Sequence, residues 1–353
     1  MAIKVAVIGC GTIAKSAHIP AYMKSELSEI KYFCDIIPER ADAAAAKAGI
    51  GKAVYDYREV LNDPEVAAVS VCTPNVSHKT ISIDFLNAGK HVLCEKPAAR
   101  TYGEALEMQK AQHKSGKILN IGVVNRFNTA VNIIKDKIAA GELGKVYQVY
   151  ISFRSQRSIP GLGGDFTNSA VSGGGVLIDW GVHYLDIAMY CLSDPNPLTV
   201  SGQSHSVLGV DIPGYVFKNM WAGPPKLDGV YDVDDYITGF IRTDGPAITL
   251  NGAWAQNIGP KETFLDFMGD KAGIRLKYGG GFTMYGTKDG KLIEETPEFE
   301  SKPMFQEEIG GFLRSIETGE KLPAHIDTVI ITAKIMQALY DSSSQGREIV
   351  FNI

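Results

Sequence analysis

Residues 3–14 read IKVAVIGCGTIA, and this stretch decides the fold of the amino-terminal half. Ile3–Ile8 is an almost continuous run of apolar, mostly β-branched residues, which is typical of a strand buried on both faces of a parallel sheet. The strand leads into a GxGxxA sequence made of Gly9, Cys10, Gly11, Thr12, Ile13 and Ala14. Gly9 permits a tight turn, Gly11 lets the backbone approach a pyrophosphate, and Ala14 lets the next helix pack closely. The stretch therefore predicts a dinucleotide site at the start of a helix, where Thr12 and Ile13 stand.

An acidic residue stands where this motif needs one. The predicted second strand, 29–34, is followed by Asp35, 21 positions after Ala14, close to the spacing of about 20 residues for an acid that binds the adenosine ribose. Its carboxylate would repel a 2′-phosphate, so we expect NAD as the cofactor, with NADP as the less favoured alternative. Arg40 lies nearby and softens that preference. Asp35 as a simple turn or cap residue is the other interpretation.

Predicted strands and helices alternate as far as residue 124, which indicates a doubly wound parallel α/β domain over residues 1–124. In such a sheet the loops after the strands line the ligand crevice. Thr73, Pro74 and Asn75 follow one predicted strand, and His78 comes shortly afterwards. We expect these residues to lie along the cofactor. For His78, a helix-start position in contact with solvent is the alternative.

Glu95, Lys96 and Pro97 follow the next predicted strand. A charged pair closed by a proline is unusual for a purely structural strand end. Lys96 beside a nicotinamide would hydrogen-bond a substrate hydroxyl and lower its pKa. The alternative is a surface lysine paired with Glu95. We expect both Glu95 and Lys96 at the cofactor.

A second stretch, residues 173–186, reads GGGVLIDWGVHYLD. Asp179 and His183 are four positions apart, so a helix from about Val176 places both side chains on one face. An acid and an imidazole on one rigid surface form a proton-transfer site suited to a polyol. A capping aspartate and a structural histidine are the alternatives. No third ligand lies nearby, so no metal site is predicted.

Three arginines are candidates for substrate binding. Arg126 stands at the predicted crossing into the second domain, and Arg154 and Arg157 follow the predicted strand 146–153. The two later arginines face either a polyol pocket or solvent. The Gly- and Ser-rich segment 158–172 has no periodicity, which suggests a mobile cover over the site. Trp254 and Tyr236 could line a sugar site or simply pack within a sheet.

Several predicted antiparallel strands follow, which indicates an α+β domain over residues 125–353 with a large open, mostly antiparallel sheet. We expect the carboxy-terminal helices, at about 304–342, to pack back towards the domain interface.

Composition narrows the class of protein. The chain has 353 residues and a net charge of −5, without a basic block, which argues against nucleic acid or a membrane surface as a partner. The five cysteines form no CxxC pair and are expected to be reduced, buried thiols. No secretory signal or membrane-spanning run is visible, so we expect a cytoplasmic protein.

The three elements together resemble the Gfo/Idh/MocA oxidoreductases, the glucose–fructose oxidoreductase and inositol dehydrogenase type. They are GxGxxA with its following aspartate, Glu95-Lys96-Pro97, and GGGxxxDxGxHxxD, in that order, and the resemblance covers essentially the whole chain. The resemblance implies that Lys96, Asp179 and His183 form a catalytic trio. His183 would take a proton from a hydroxyl of a sugar or cyclitol while the carbon loses hydride to the nicotinamide, and Lys96 and Asp179 would orient the substrate.

The resemblance also implies that the open sheet face packs against another subunit, in a homodimer or homotetramer. Two other functions remain open. An NAD-using glycosidase would oxidise, eliminate and re-reduce with no net redox change. A non-catalytic NAD-binding regulator would be expected to lack the lysine or the histidine, and both are present.

Overall fold

The structure is a computed structural model that describes residues 2–259 and 261–351. Its strands are β1 Ile3–Ile8, β2 Ser28–Cys34, β3 Lys52–Val54, β4 Ala68–Val71, β5 His91–Glu95, β6 Leu119–Gly122, β7 Val146–Arg154, β8 Pro197–His205, β9 Tyr236–Thr243, β10 Ala247–Ala253, β11 Glu262–Gly269, β12 Ala272–Lys277, β13 Phe282–Lys288, β14 Lys291–Glu295 and β15 Ile349–Val350. Its α-helices are α1 Ile19–Lys24, α2 Pro38–Ala48, α3 Arg58–Leu61, α4 Asn75–Asn87, α5 Tyr102–Ser115, α6 Thr129–Ala139, α7 Ser169–Ser172, α8 Val182–Cys191, α9 Met304–Thr318 and α10 Ile326–Gln345. π-helical segments, Ala14–His18 and Leu177–Gly181, directly precede α1 and α8.

The chain divides into two compact units. The first comprises Met1–Phe127 and Lys302–Ile330, and the second comprises Asn128–Ser301 and Ile331–Ile353. Helix α9 and the beginning of α10 therefore belong to the same unit as the amino-terminal strands.

The first unit is built on a parallel sheet of six strands in the order β3-β2-β1-β4-β5-β6. This is the strand order of a Rossmann fold, so the doubly wound α/β prediction is confirmed. Strand β1 has the predicted bounds, and Val5 and Val7 are fully buried because helices cover both faces of the sheet. Phe312 and Leu313 of α9 join the same core.

The second unit is built on a sheet of nine strands in the order β14-β13-β12-β11-β7-β10-β9-β8-β15. Its paired strands are antiparallel except for β7 and β10, which are parallel, so the predicted mostly antiparallel sheet is confirmed. Successive side chains of each strand point to opposite faces of this sheet. Ile151 and Ile248 are buried in a core with Leu185 of α8, whereas Tyr150 and Phe240 are only half-buried.

Some boundaries differ from the predicted ones. Helix α4 begins at Asn75 rather than near Thr80, so Asn75 and His78 lie in its first turns. The segment 158–172, predicted as an irregular loop, contains a 3₁₀ turn, Asp165–Thr167, and the short helix α7. Strands β13, β14 and β15 were not predicted, because β13 is buried only at Phe282, β14 is mostly exposed and β15 has only two residues.

The five cysteines are free and buried, as predicted. Within the part of the chain that the structure describes, none of the helices combines the length and the apolar character needed to cross a bilayer.

Candidate functional site

Gly9 and Gly11 have different structural roles in the turn after β1. Gly9 has φ of +90°, and a Cβ added to it would lie 2.6 Å from the carbonyl oxygen of Cys72, so a side chain is excluded there on two grounds. Gly11 has an ordinary φ, and a Cβ added to it would meet no atom within 4 Å. The turn therefore needs Gly9 to fold, while Gly11 leaves open space beside the backbone, as a bound pyrophosphate requires.

Asp35 follows β2 and joins this turn to the second strand. Its carboxylate accepts hydrogen bonds from the backbone N–H of Cys10, at 2.8 Å, and of Ile37, at 2.9 Å. Each carboxylate oxygen has a further lone pair, so the group can also accept from ribose hydroxyls. The glycine turn, the helix start at Thr12 and Ile13 and the carboxylate of Asp35 have the chemistry to hold NAD: the turn would receive the pyrophosphate, and Asp35 would accept from the ribose hydroxyls.

Glu95 ends strand β5 and is only 7% exposed. Its carboxylate accepts a hydrogen bond from the backbone N–H of Lys96, at 3.1 Å, and lies 2.8 Å from Nε2 of His18. Burial alone would raise the pKa of Glu95, but His18 and Lys96 outweigh burial and hold the pKa below its ordinary value. The side chain of Glu95 is therefore engaged inside the first unit, while Lys96, next along the chain, is half-buried.

His78 is fully buried, so the solvent-contact alternative is wrong. Its two ring nitrogens lie 2.8 Å from the carbonyl oxygens of Pro97 and Thr73. Burial lowers the pKa of His78, since an apolar environment disfavours the imidazolium. The histidine ties the segment Thr73–Pro74, where α4 begins, to the residue that follows Lys96.

Arg126 is buried in the first unit. Its guanidinium donates to the carbonyl oxygen of Pro323 at 2.8 Å and to Oγ1 of Thr328 at 3.0 Å. These bonds hold the turn that leads into α10, a role that the sequence did not indicate.

In the second unit, the glycine triplet allows close contact between the chain and Asp234. A Cβ on Gly175 would lie 1.9 Å from the carbonyl oxygen of Asp234, and a Cβ on Gly174 would lie 2.3 Å from the hydroxyl oxygen of Tyr340. The carboxylate of Asp234 accepts from the backbone N–H of Gly175, at 2.7 Å, and of Leu177, at 3.1 Å. Asp234 therefore satisfies backbone donors that a helix start leaves without partners.

The predicted helix is present, but its first turn is π-helical and α8 continues it. Asp179 lies in the π segment and is 9% exposed, and His183 lies in the first turn of α8 and is half-buried. π segments are rare in proteins and occur frequently at functional sites. The two residues are thus held on one continuous helix, as predicted.

Tyr278, which the sequence did not single out, borders this pair. Its ring centroid is 6.2 Å from that of His183, and it stacks on Tyr184 at 4.4 Å. Tyr278 directly follows β12. It is one of 15 tyrosines in the chain, and no local sequence pattern distinguishes it from the others.

Arg154 and Arg157 already have partners within the second unit. Arg154 forms an ion pair with Glu262 on the neighbouring strand. Arg157 donates to the carbonyl oxygens of Gln156 and Gln256, each at 2.6 Å. Trp254 is fully buried, in agreement with sheet packing rather than a sugar contact.

The cysteine thiols are poor nucleophiles, because burial raises the pKa of Cys10, Cys34 and Cys94 to about 12 each. Across residues 2–259 and 261–351, no three His, Cys, Asp or Glu side chains form a group that could hold a metal ion.

Comparison with known proteins identifies the family. Residues 3–123 match the family model described as "Oxidoreductase family, NAD-binding Rossmann fold", and residues 131–275 match the "GFO/IDH/MocA C-terminal domain". The D-glucoside 3-dehydrogenase of Escherichia coli (strain K12) is 30% identical over 350 residues, which cover 98% of this chain and 97% of that protein. The chain belongs to the Gfo/Idh/MocA oxidoreductase family. The resemblance inferred from the motifs is confirmed, and with it an NAD-binding Rossmann domain.

Other family members extend the comparison. The levoglucosan dehydrogenase of Pseudarthrobacter phenanthrenivorans is 29% identical over 264 residues, 70% of this chain and 66% of that protein. A solved levoglucosan dehydrogenase in complex with NADH and levoglucosan superposes with a TM-score of 0.85 at 21% identity, covering 99% of each chain. At this identity the superposition shows that this Gfo/Idh/MocA protein shares the fold.

Proposed function

We propose that this protein is an NAD-dependent dehydrogenase that oxidises a secondary hydroxyl of a sugar, sugar derivative or cyclitol. The observation that carries the proposal is the placement of Asp179 and His183 on one helix whose start is held by the buried carboxylate of Asp234. The names of the relatives support the substrate class, because two of them are dehydrogenases of a glucoside and of an anhydrosugar.

Oxidation of a CH–OH group removes a hydride from the carbon and a proton from the oxygen. NAD, when bound, supplies the acceptor for the hydride. His183 takes the hydroxyl proton as general base, which leaves a ketone, and the imidazolium later releases the proton to solvent. A histidine suits this role, because its ordinary pKa lies near neutrality.

Lys96 and Asp179 orient the substrate. The ammonium of Lys96 donates a hydrogen bond to the reacting oxygen and stabilises the negative charge that develops as the proton leaves. The carboxylate of Asp179 accepts from a substrate hydroxyl, and with His183 it defines which hydroxyl is presented. Asp35 favours NAD over NADP for the electrostatic reason given above.

We also propose that the protein is a cytoplasmic homodimer or homotetramer. Five buried free cysteines suit a reducing compartment. The face of the nine-stranded sheet that carries the half-buried Tyr150 and Phe240 offers the subunit contact. Light scattering of the purified protein would contradict the proposal if it gave the mass of a single chain.

The decisive experiment is NADH formation from NAD with a panel of glucosides, anhydrosugars, free sugars and inositols. His183→Ala is the blank, and His205→Ala, which removes an exposed histidine of the same unit, is the matched control. We expect a signal with wild type and His205→Ala that falls by about 10²–10⁴-fold in His183→Ala. NMR of the ketone product identifies the oxidised carbon.

The same panel distinguishes the two other functions. Release of a leaving group from a glycoside that needs NAD, without accumulation of NADH, would replace the dehydrogenase by the glycosidase. Full activity in His183→Ala would remove His183 from the mechanism. NAD binding without turnover of any compound would favour a regulator.

A further inference from the structure

A buried polar chain in the first unit ends at the backbone of Lys96. It joins Tyr22 of α1, Ser70 of β4, His18 at the end of the π segment, and Glu95 at the end of β5. None of the four is more than 7% exposed. Glu95 lies directly before Lys96 in the chain, so the cluster adjoins the residue proposed to orient the substrate.

The contacts form one continuous series. Oη of Tyr22 lies 2.7 Å from Oγ of Ser70, and Oγ of Ser70 lies 3.1 Å from Nδ1 of His18. Nε2 of His18 lies 2.8 Å from Oε1 of Glu95, and the N–H of Lys96 donates to Oε2 of Glu95 at 3.1 Å. Each step joins residues from different elements of the fold, apart from the last.

Only one direction of proton donation satisfies the whole series with a neutral imidazole. The carboxylate of Glu95 accepts only, so Nε2 of His18 carries the proton. Nδ1 is then an acceptor of the hydrogen bond that the Ser70 hydroxyl donates, which leaves Tyr22 as the donor to Ser70. The opposite tautomer would direct an imidazole lone pair at a buried carboxylate. The series therefore fixes the ring orientation of His18 and the position of the Glu95 carboxylate together.

A second buried acid lies near this polar series without binding His18. Glu308 of α9 is 1% exposed, and neither of its carboxyl oxygens has a hydrogen-bond partner within the described residues. Burial, reinforced by the charge of Glu95, raises the pKa of Glu308 well above its ordinary value. Burial therefore favours the uncharged form of Glu308, and Glu95 remains the carboxylate that His18 binds.

We propose that His18 is a positioning residue for Lys96, which it holds in place through the carboxylate of Glu95. Loss of the His18 N–H leaves a buried carboxylate with one donor fewer, so Glu95 must move or take up a proton, and its bond to the Lys96 N–H weakens. The role of Lys96 in this inference rests on the proposed function. The hydrogen-bonded link from His18 through Glu95 to the N–H of Lys96 is independent of it.

The first test compares His18→Leu with His18→Gln, which retains an amide donor able to reach Glu95. We expect kcat to fall by about 10–100-fold in His18→Leu, because small displacements of an orienting group are costly. The KM for NAD should stay within a factor of about two. His18→Gln should recover most of the loss. Ser70→Ala, which removes the hydroxyl bound to Nδ1, should show a smaller fall in kcat of the same kind.

His91→Leu is the matched control, because His91 lies at the opposite end of β5 and is partly buried. We expect it to lower stability without a comparable fall in kcat. In the Lys96→Ala background, His18→Leu should add no more than about a twofold further loss, since a residue that acts through Lys96 has nothing left to position. A full additional loss in that background would assign His18 a purely structural role and overturn the proposal.

A readout that needs no substrate separates this inference from the proposed function. Acetylation of Lys96 by an amine-reactive reagent, followed by peptide mass spectrometry, reports the exposure and mobility of its side chain. We expect the labelling rate of Lys96 to rise at least about threefold in His18→Leu relative to the other lysines, and to return in His18→Gln. An unchanged labelling rate in folded His18→Leu and Ser70→Ala would overturn the proposal, whereas wild-type protein inert towards every sugar would overturn only the function.

Discussion

The hydroxyl of Tyr340 donates a 2.6 Å hydrogen bond to the buried carboxylate of Asp234. That carboxylate also accepts hydrogen bonds from the backbone N–H groups of Gly175 and Leu177, which lie at the start of the helix that carries Asp179 and His183. Burial raises the pKa of Asp234 above its ordinary value, although the three donors act against it. The helix of the proposed catalytic pair therefore begins on a carboxyl group held by a residue from α10.

Tyr340→Phe removes one of the three donors, and we expect it to lower the free energy of unfolding by about 1 kcal/mol. Asp234→Ala removes the acceptor of all three, and we expect a loss of about 3 kcal/mol together with a fall in kcat, because the helix start is released. Urea denaturation and steady-state kinetics measure the two effects. Wild-type stability in Asp234→Ala would show that the helix start does not depend on this carboxyl group.

The two glycines after β1 should respond differently to alanine. Gly9→Ala places a Cβ 2.6 Å from a backbone oxygen at a positive φ, so we expect it to lose about 3 kcal/mol or fail to fold. Gly11→Ala should keep the stability within roughly 0.5 kcal/mol and weaken NAD binding, since its Cβ enters the space left for a pyrophosphate. Thermal unfolding and fluorescence titration with NADH test this, and undiminished affinity in Gly11→Ala would contradict the role of that space.

Glu308 should make stability depend on pH. Its folded pKa lies well above 4.5, so above pH 4.5 the unfolded chain loses this proton first and the contribution of Glu308 to stability falls as pH rises towards the folded pKa, by roughly 1.4 kcal/mol per pH unit. The glutamine of Glu308→Gln does not titrate, so this variant lacks that pH dependence. We expect its Tm to match wild type near pH 4 and to exceed it increasingly as the pH rises above 4.5. Glu307→Gln controls for the change in net charge, and parallel Tm curves for wild type and Glu308→Gln would refute the assignment.

Asp35 should decide between the two nicotinamide cofactors. Asp35→Ala removes the carboxylate that would bind the ribose and repel a 2′-phosphate, so we expect the affinity for NAD to fall by about tenfold or more while NADP binding falls less or improves. Asp35→Asn removes the charge but keeps one acceptor oxygen, which can serve one of the two N–H groups of Cys10 and Ile37, and so controls in part for damage to the glycine turn. An unchanged ratio of the two dissociation constants would exclude a ribose contact.

The first half of the fold could be predicted because its signals are local. An apolar run, a GxG turn and an acid at the right spacing identify β1, the cofactor turn and Asp35 without knowledge of any distant residue. The helix with Asp179 and His183 was predictable for the same reason, since residues four apart share a helix face. Strands β13 and β14 lacked such a signal, because a strand with exposed residues is defined by its hydrogen-bonded neighbours.

The supporting residues of the site could not be predicted, because their partners are far away along the chain. His18 and Glu95 are 77 positions apart, and Asp234 and Gly175 are 59 apart. His78 likewise changed from a possible surface residue to a buried link between two loops.

The sequence by itself determined the family, the Rossmann unit, the position of the cofactor turn and the identity of the candidate reacting residues, because each depends on steric and periodic rules within a few residues. The tertiary structure alone decided which residues support them. Burying a histidine, a carboxylate or a helix start requires a hydrogen-bond partner, and only the folded chain brings the partner from a distant strand or helix to that place.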